Sequence, residues 1–348
     1  MFAKSVWRMC SRRPILPQIY QNQWRELKPA QDQIKGLERD SLLNLISWNI
    51  NFNNPAPKKR VAKIMHYLQN TLGNNPTQLV ILLQEVSQLS AQQIMQTKWV
   101  QDNFIVIGHE PPIIFQAGIP RQASYYTMAM TPRSLRLQNS FRMPLPSEMG
   151  RDAIFADLHL CSSKKSPNYA KEVFRVSTTH LESLQEGISL RARQLELISQ
   201  RLGGVENEVR VVAGLVGGDM NATHHSDFTL HRRVGLRDAW GDQSTKAGKG
   251  DLPCNQVNGH TWGYQSNSIE FPPARLDKFL YSGCVKTTNL ANTQGDEEMI
   301  MRLGVGLTVD VSSKDSLQKP RPLGLERDLE KIWVSDHYGI AIGVKIPE

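Results

Sequence analysis

Ser335-Asp336-His337 sets a carboxylate beside an imidazole, between the apolar runs Ile332-Trp333-Val334 and Tyr338-Gly339-Ile340-Ala341-Ile342. An imidazole oriented by a carboxylate handles protons near neutral pH. Four earlier apolar runs also finish in groups able to do chemistry: Asn49, Glu85, His180, and Asp219 with Asn221. Asp277, inside Arg275-Leu276-Asp277-Lys278-Phe279, makes a sixth such position. Glu85 and Asn49 offer hard oxygens of the kind magnesium takes, with water and substrate phosphate completing its shell. Asp219 is suited to orient or deprotonate an attacking water, and two histidines can shuttle protons or donate to phosphate oxygens. Together these groups describe metal-assisted hydrolysis of a phosphate ester.

Singly, each has a plainer reading. His180 would pass for a satisfied structural histidine and Glu85 for a solvated strand end. Gly217-Gly218-Asp219 is ordinary turn chemistry, and Arg275 with Asp277 an ordinary surface ion pair. The joint pattern outweighs them, because reacting groups gather where a rigid sheet fixes position and a loop leaves access.

The elements behind these positions are legible from periodicity. Residues 42–50 read as a strand, and a helix over 58–72 follows from Val61, Ile64, Met65, Leu68 and Leu72, with Gly73 as its cap. Leu79–Leu83 is continuously apolar, as for a strand buried on both faces, and runs into Gln84-Glu85-Val86. A helix is expected near Ser90 and strands over 104–107, 125–130 and 153–158, with 143–147 irregular between the last two. A strand over 173–179, a helix over 188–202 and a strand over 209–216 follow, then a strand over 276–281. Residues 241–272 and 310–331 read as long loops. Many strands with few helices make one α+β domain over 42–348, built on stacked sheets.

The net charge of +8 favours a polyanionic partner, nucleic acid being the usual one. Four cysteines lack CxxC spacing, which argues against a disulfide framework or zinc site and fits a reducing compartment. No apolar run approaches the length of a membrane span. Residues 1–41 form a basic arm whose first 25 residues hold five Lys or Arg and no acid. It reads either as poorly ordered chain or as a mitochondrial presequence, so the expected location is intracellular: nuclear or cytoplasmic, with mitochondria left open.

Ser47-Trp48-Asn49-Ile50, Leu83-Gln84-Glu85-Val86, Thr178-Thr179-His180-Leu181-Glu182-Ser183, Gly217-Gly218-Asp219-Met220-Asn221 and Ser335-Asp336-His337-Tyr338-Gly339 stand in the order of the endonuclease/exonuclease/phosphatase superfamily. The His180–Ser183 stretch, the Gln84-Glu85-Val86 form, the Arg275–Phe279 segment and Gly259-His260-Thr261-Trp262 most resemble its tyrosyl-DNA phosphodiesterase 2 subfamily. The resemblance implies a deoxyribonuclease I-like four-layer α/β sandwich: two packed mixed β-sheets flanked by helices, usually monomeric. It implies a Mg2+ site, with Mn2+ as a substitute, in which Glu85 is the main ligand and Asn49 and Asp336 assist. Asp219 would position the nucleophile, Asn221 hold a phosphate oxygen and His180 stabilise developing charge. His337 would transfer the proton, with Asp277 as its partner. The stretch before the first motif is too short to expect the ubiquitin-binding module of some animal members.

The implied substrate is DNA bearing a 5′-phosphotyrosyl or similar adduct, in DNA repair. Trp262, Tyr125 and Tyr126 are candidates for stacking or apolar contact to a nucleotide, and Arg151 and Arg275 for holding phosphates. The runner-up is a small-molecule or lipid phosphodiesterase or phosphatase of the same superfamily. A non-catalytic binding protein ranks last, because every matched polar position holds a chemically competent residue.

Overall fold

Alternation along the Leu43–Asn49 strand decides the layering. Leu43 and Leu45 point into one buried cluster, Ile46 and Trp48 into another, as the two faces of a strand require. A computed structural model of the protein describes residues 34–116, 119–161, 171–206, 209–240, 259–265, 271–288, 301–312 and 330–348.

Two seven-stranded sheets form the centre. The first runs in the order Lys286–Thr288, Gly339–Lys345, Leu43–Asn49, Leu79–Ser87, Tyr125–Pro132, Phe104–Ile107, with Met301–Leu303 also paired to Gly339–Lys345. The second runs Arg237–Asp238, Asp277–Gly283, Val209–Asp219, Lys171–His180, Asp152–His159, Leu137–Pro144, with Gly204–Glu206 paired to Val209–Asp219. Each sheet contains one parallel pair, and each pair is joined by the helix such a crossover requires: Pro57–Leu72 in the first, Ile188–Ser199 in the second. Leu45, Leu82, Phe174, Leu215, Phe279 and Ile342 fill the space between the sheets. Helix residues Val61, Ile64 and Leu68 cover the outside of the first, and Leu195 and Ile198 the outside of the second. The result is a four-layer α+β sandwich of mixed sheets. No helix among the described residues is long and apolar enough to cross a membrane.

Four local differences from the periodicity have physical causes. Met143 and Pro144 are the end of a strand rather than irregular chain. That strand is the last in its sheet, and an edge strand tolerates a proline that donates no hydrogen bond. Packing begins before the first periodic strand, since Leu37 is buried and its N–H donates to His159 O at 2.7 Å. The runs flanking Asp336-His337 belong to different sheets, as Glu330–Trp333 pairs with Thr308–Val311 in a separate ribbon. The helix after His180 ends at Ser199, and its buried face carries Arg191 and Gln194 as well as leucine and isoleucine. Residues 1–33, most of 241–272 and 313–329 lie outside the described residues, and with them most of the expected arm and loops.

One buried cation fixes how the site-bearing strands meet. Arg60 lies in the Lys58-Lys59-Arg60 run of the first helix and is fully buried. Its guanidinium donates to the carbonyls of Ile50, Asn51, Asn54, Pro55 and Val334 at 2.6–3.1 Å. It thereby ties the loop after Asn49 to the segment before Ser335. Burial lowers its pKa to about 10, so it stays charged. Arg60→Met should cost about 3–5 kcal/mol, because it leaves that cluster of carbonyls without a donor. Urea unfolding reads this directly, and an unchanged midpoint would show that water satisfies the carbonyls instead.

Candidate active site

Sheet register assembles the centre. Asp219 lies opposite His180 across the parallel pair and opposite Asp277 across the antiparallel pair, so the three sit side by side on adjacent strands. Asp219 shares its face with Ala213 and Leu215, which point at the other sheet. The Gly-Gly before it is strand, not turn. A Cβ on Gly217 would come within 2.6 Å of the Phe279 ring and 2.8 Å of Leu82, so glycine lets the sheets close just behind the site.

The first sheet contributes Asn49 and Glu85. Asn49 is the last inward position of its strand. Glu85 is not a strand end. The strand continues to Ser87, with a register shift between Leu83 and Val86, and Glu85 occupies the irregularity at φ 56°. A bulge of this kind re-aims one side chain while the strand continues, and a left-handed glutamate is held there only against strain. The C-terminal cluster is docked by backbone contacts: Ser335 Oγ donates to Asn49 O at 2.6 Å, and Trp48 Nε1 donates to His337 O at 3.1 Å.

The side chains then converge. Asn49 Nδ2 donates to Asp219 Oδ2 at 3.0 Å and to Glu85 Oε1 at 3.2 Å. His180 Nε2 and His337 Nε2 face the same Asp219 Oδ2 from 3.5 and 3.7 Å. His337 Nδ1 donates to Asp277 Oδ2 at 2.8 Å, a charge-assisted bond. His180 Nδ1 instead meets Arg151 Nη1 at 3.0 Å. The nearest group behind each imidazole is therefore of opposite charge, with the Glu85 carboxylate farther from His180 Nδ1 at 3.9 Å.

Their proton affinities diverge accordingly. Burial alone would depress His337, but Asp277, Asp219 and Asp336 outweigh it and hold the imidazolium well above its ordinary range. His180 is pushed well below that range by burial, Arg151 and His337. Asp219 is raised to about 6, by burial first and by Asp277 after it, while His337, the Asn221 N–H and the Asn49 amide pull it back. One ring is held protonated, the other is kept neutral, and the carboxylate between them titrates at about 6. Groups driven apart in this way are what acid–base work at one pH demands.

The remaining expected residues divide. Tyr125 and Arg151 join the centre: Arg151 Nη1 donates to the Tyr125 hydroxyl at 3.2 Å and lies over its ring, 5.4 Å from the centroid. Asn221 steadies Asp219, its N–H donating to Oδ1 at 2.9 Å, while its amide donates to Leu181 O. Trp262 bridges in backbone register to His337, and its indole donates to Asp336 at 3.1 Å. Asp336 thus faces the indole, while His337 faces Asp277. Arg275 stands apart, its guanidinium gripping both oxygens of Asp238. That contact holds the Asp238 carboxyl well below the usual range although burial opposes it. Phe52 was not singled out in the sequence. It stacks on Tyr125 at 3.9 Å, and its N–H donates to Glu85 Oε2, but an isolated aromatic in an Asn/Pro-rich loop carries no periodic signal.

The donor set fits a hard divalent ion. Glu85 keeps solvent access at 18% of its side chain, and no lysine or arginine among the described residues is bonded to its carboxylate. Asn49 Oδ1 accepts the Asn51 N–H, which turns the amide nitrogen toward Glu85, so here Asn49 orients that carboxylate. Asp219, Asp277 and His337 also offer ligand atoms within 4.8 Å of one another. The 2.8 Å Nδ1–Oδ2 bond marks that group as protonic in the first instance.

The sequence profile of the endonuclease/exonuclease/phosphatase family matches residues 46–337, which includes Asn49, Glu85, His180, Asp219, Asp277 and His337. The chain belongs to that family, whose members are generally hydrolases acting on phosphate esters. No curated protein sequence matches it. Similar solved structures include a Danio rerio TDP2 complexed with single-strand DNA product, at 17% identity and TM-score 0.54, covering 88% of this chain and 100% of the other. A truncated Caenorhabditis elegans TDP2 is 18% identical with TM-score 0.55, over 88% and 98% of the two chains. A family protein from Bacteroides thetaiotaomicron is 13% identical with TM-score 0.55, over 88% and 98%. At such identities the likeness is one of fold.

Proposed function

We propose that the chain is a Mg2+-dependent phosphodiesterase that releases 5′-phosphate DNA from 5′-phosphotyrosyl adducts. The observation that carries the reaction class is the convergence of both imidazole Nε2 atoms and the Asn49 amide on Asp219 Oδ2 beside the Glu85 carboxylate. Asp219 takes a proton from water as its oxygen attacks phosphorus. The phosphorus–oxygen bond to the tyrosyl group breaks, and His337 gives the leaving oxygen a proton, its ring oriented by Asp277. His180 donates from Nε2 to a non-bridging oxygen, and the second Asn221 amide hydrogen is free to do the same. Glu85 would hold the ion, which when bound offsets charge on the phosphoryl oxygens. Asp336 braces Trp262 beside the centre, and the Tyr125–Phe52 stack supplies an aromatic wall.

The substrate rests on the subfamily-like motifs, on the +8 charge and on the similarity to a TDP2 structure holding single-strand DNA product. Purified protein should convert a 5′-phosphotyrosyl oligonucleotide to the 5′-phosphate, with Mg2+ or Mn2+ required and chelator abolishing turnover. Cleavage of inositol phosphates or sphingomyelin with the DNA adduct left intact would refute the substrate while leaving the reaction class in place. We assign the protein to the interior of the cell on the same reading. Fluorescence of the tagged full chain, scored against nuclear and mitochondrial markers, checks it.

A further inference from the structure

Arg151 was expected to hold substrate phosphate, but its surroundings define another task. It is 6% exposed, and both terminal nitrogens of its guanidinium are bonded to the protein: Nη1 to Tyr125 and His180, Nη2 to Ser183 Oγ at 2.7 Å and Met149 Sδ, while Nε is buried without a hydrogen-bond partner among the described residues. The backbone that presents it is equally fixed. Glu182, also buried, accepts the Ser147 hydroxyl at 2.6 Å and the N–H groups of Glu148 and Met149. Ser147 Oγ in turn accepts the Arg151 N–H at 2.9 Å.

A guanidinium has five donors and no acceptor. The 3.0 Å contact to His180 Nδ1 is therefore a hydrogen bond only if Nδ1 is the unprotonated nitrogen of the ring. The ring proton must then sit on Nε2, which faces Asp219 Oδ2. We infer that Arg151 is a positioning residue that locks His180 as the neutral Nε2–H tautomer, so that this ring enters the reaction as a hydrogen-bond donor and never as a base. The partner behind a working histidine sets which nitrogen is protonated. Here that partner is a cation, where His337 has a carboxylate.

The rate consequence rests on the phosphodiesterase reading; the tautomer does not, so the two fail separately. Nitrogen NMR of full-length protein with labelled histidine, the signal assigned by its loss in His180→Gln, should show an acceptor-type Nδ1 and a protonated Nε2 at near-neutral pH. Arg151→Lys retains a cationic donor and should keep that pattern. Arg151→Met should give mixed tautomers or an imidazolium. On the adduct, Arg151→Met should lower kcat about 10–100-fold, the usual scale for a partner that orients a working histidine. KM should change less than threefold, and Lys should restore most of kcat. A protonated Nδ1 in the unmodified protein would overturn the inference. So would a variant whose loss appears in KM, which marks a phosphate-binding arginine. If Arg151→Met fails to fold, the spectrum of the unmodified protein and the lysine variant still decide the matter.

Discussion

Asp219→Asn should lower kcat by about four orders of magnitude with KM and fold nearly intact, the scale on which losing a key group of a concerted acid–base centre acts. Asparagine matches aspartate in shape and can still accept the Asn221 N–H, but it cannot take a proton from water. Stability should barely move, because two effects oppose each other. The carboxylate is raised to about 6, so its ionised form is disfavoured in the folded protein, and a neutral amide relieves that cost. Against this, the new amide nitrogen would face the donating Asn49 Nδ2, two donors without an acceptor. The net change should be about 1 kcal/mol or less. The sign of the pH dependence follows. A carboxyl raised from 3.8 to about 6 contributes stability that is full below its ordinary value and lost as pH rises through about 6. Thermal melts between those two values should therefore show a flatter slope in the variant. The same value places the acid limb of the wild-type rate near pH 6. Rates within tenfold of wild type would remove Asp219 from the mechanism, whereas a collapsed melt would make the variant uninformative and leave the acid limb as the test.

Apolar runs and their polar endings made the strands legible, and six polar positions in order pointed to one centre. What sequence could not supply was registry between strands far apart in the chain. Nothing near Asp219 says that His180 and Asp277 are its lateral neighbours, because that depends on pairings set by whole strands. The irregularity at Glu85 was hidden for a different reason. Bulges at left-handed φ are usually flagged by glycine or asparagine, and here neither is present. Arg60 was concealed by composition, since a Lys-Lys-Arg run reads as a solvated helix face, yet its third member is fully buried. Arg151 was read by charge as a phosphate contact, and only its donors' partners show that it is committed to Tyr125, Ser183 and His180. Charge is visible in sequence; the acceptor that consumes it is not.

Asp277→Asn should be nearly as damaging, about three to four orders of magnitude in kcat, by the precedent of a buried carboxylate behind a catalytic imidazole. The variant also carries a signature that simple disruption would not give. Asp277 is the leading group that raises His337 against its burial, through charge and through the 2.8 Å bond at Nδ1. Its neutralisation must lower the proton affinity of His337, so the ring loses its proton at lower pH. The alkaline limb of kcat should then move toward acid pH, and the residual activity should peak lower than in wild type. An alkaline limb that stays put, or moves upward, would separate Asp277 from His337. The adjacent Asp336 supplies the internal comparison. Its carboxylate is one residue from His337 but accepts from Trp262, whereas the His337 ring faces Asp277. It acts on the imidazole only through space. Asp336→Asn should thus shift the same limb in the same direction by a smaller amount and cost no more than about tenfold in kcat. If Asp336→Asn proved the worse of the two, the proton-handling pair would be the one adjacent in sequence, and the 2.8 Å bond to Asp277 would be structural only.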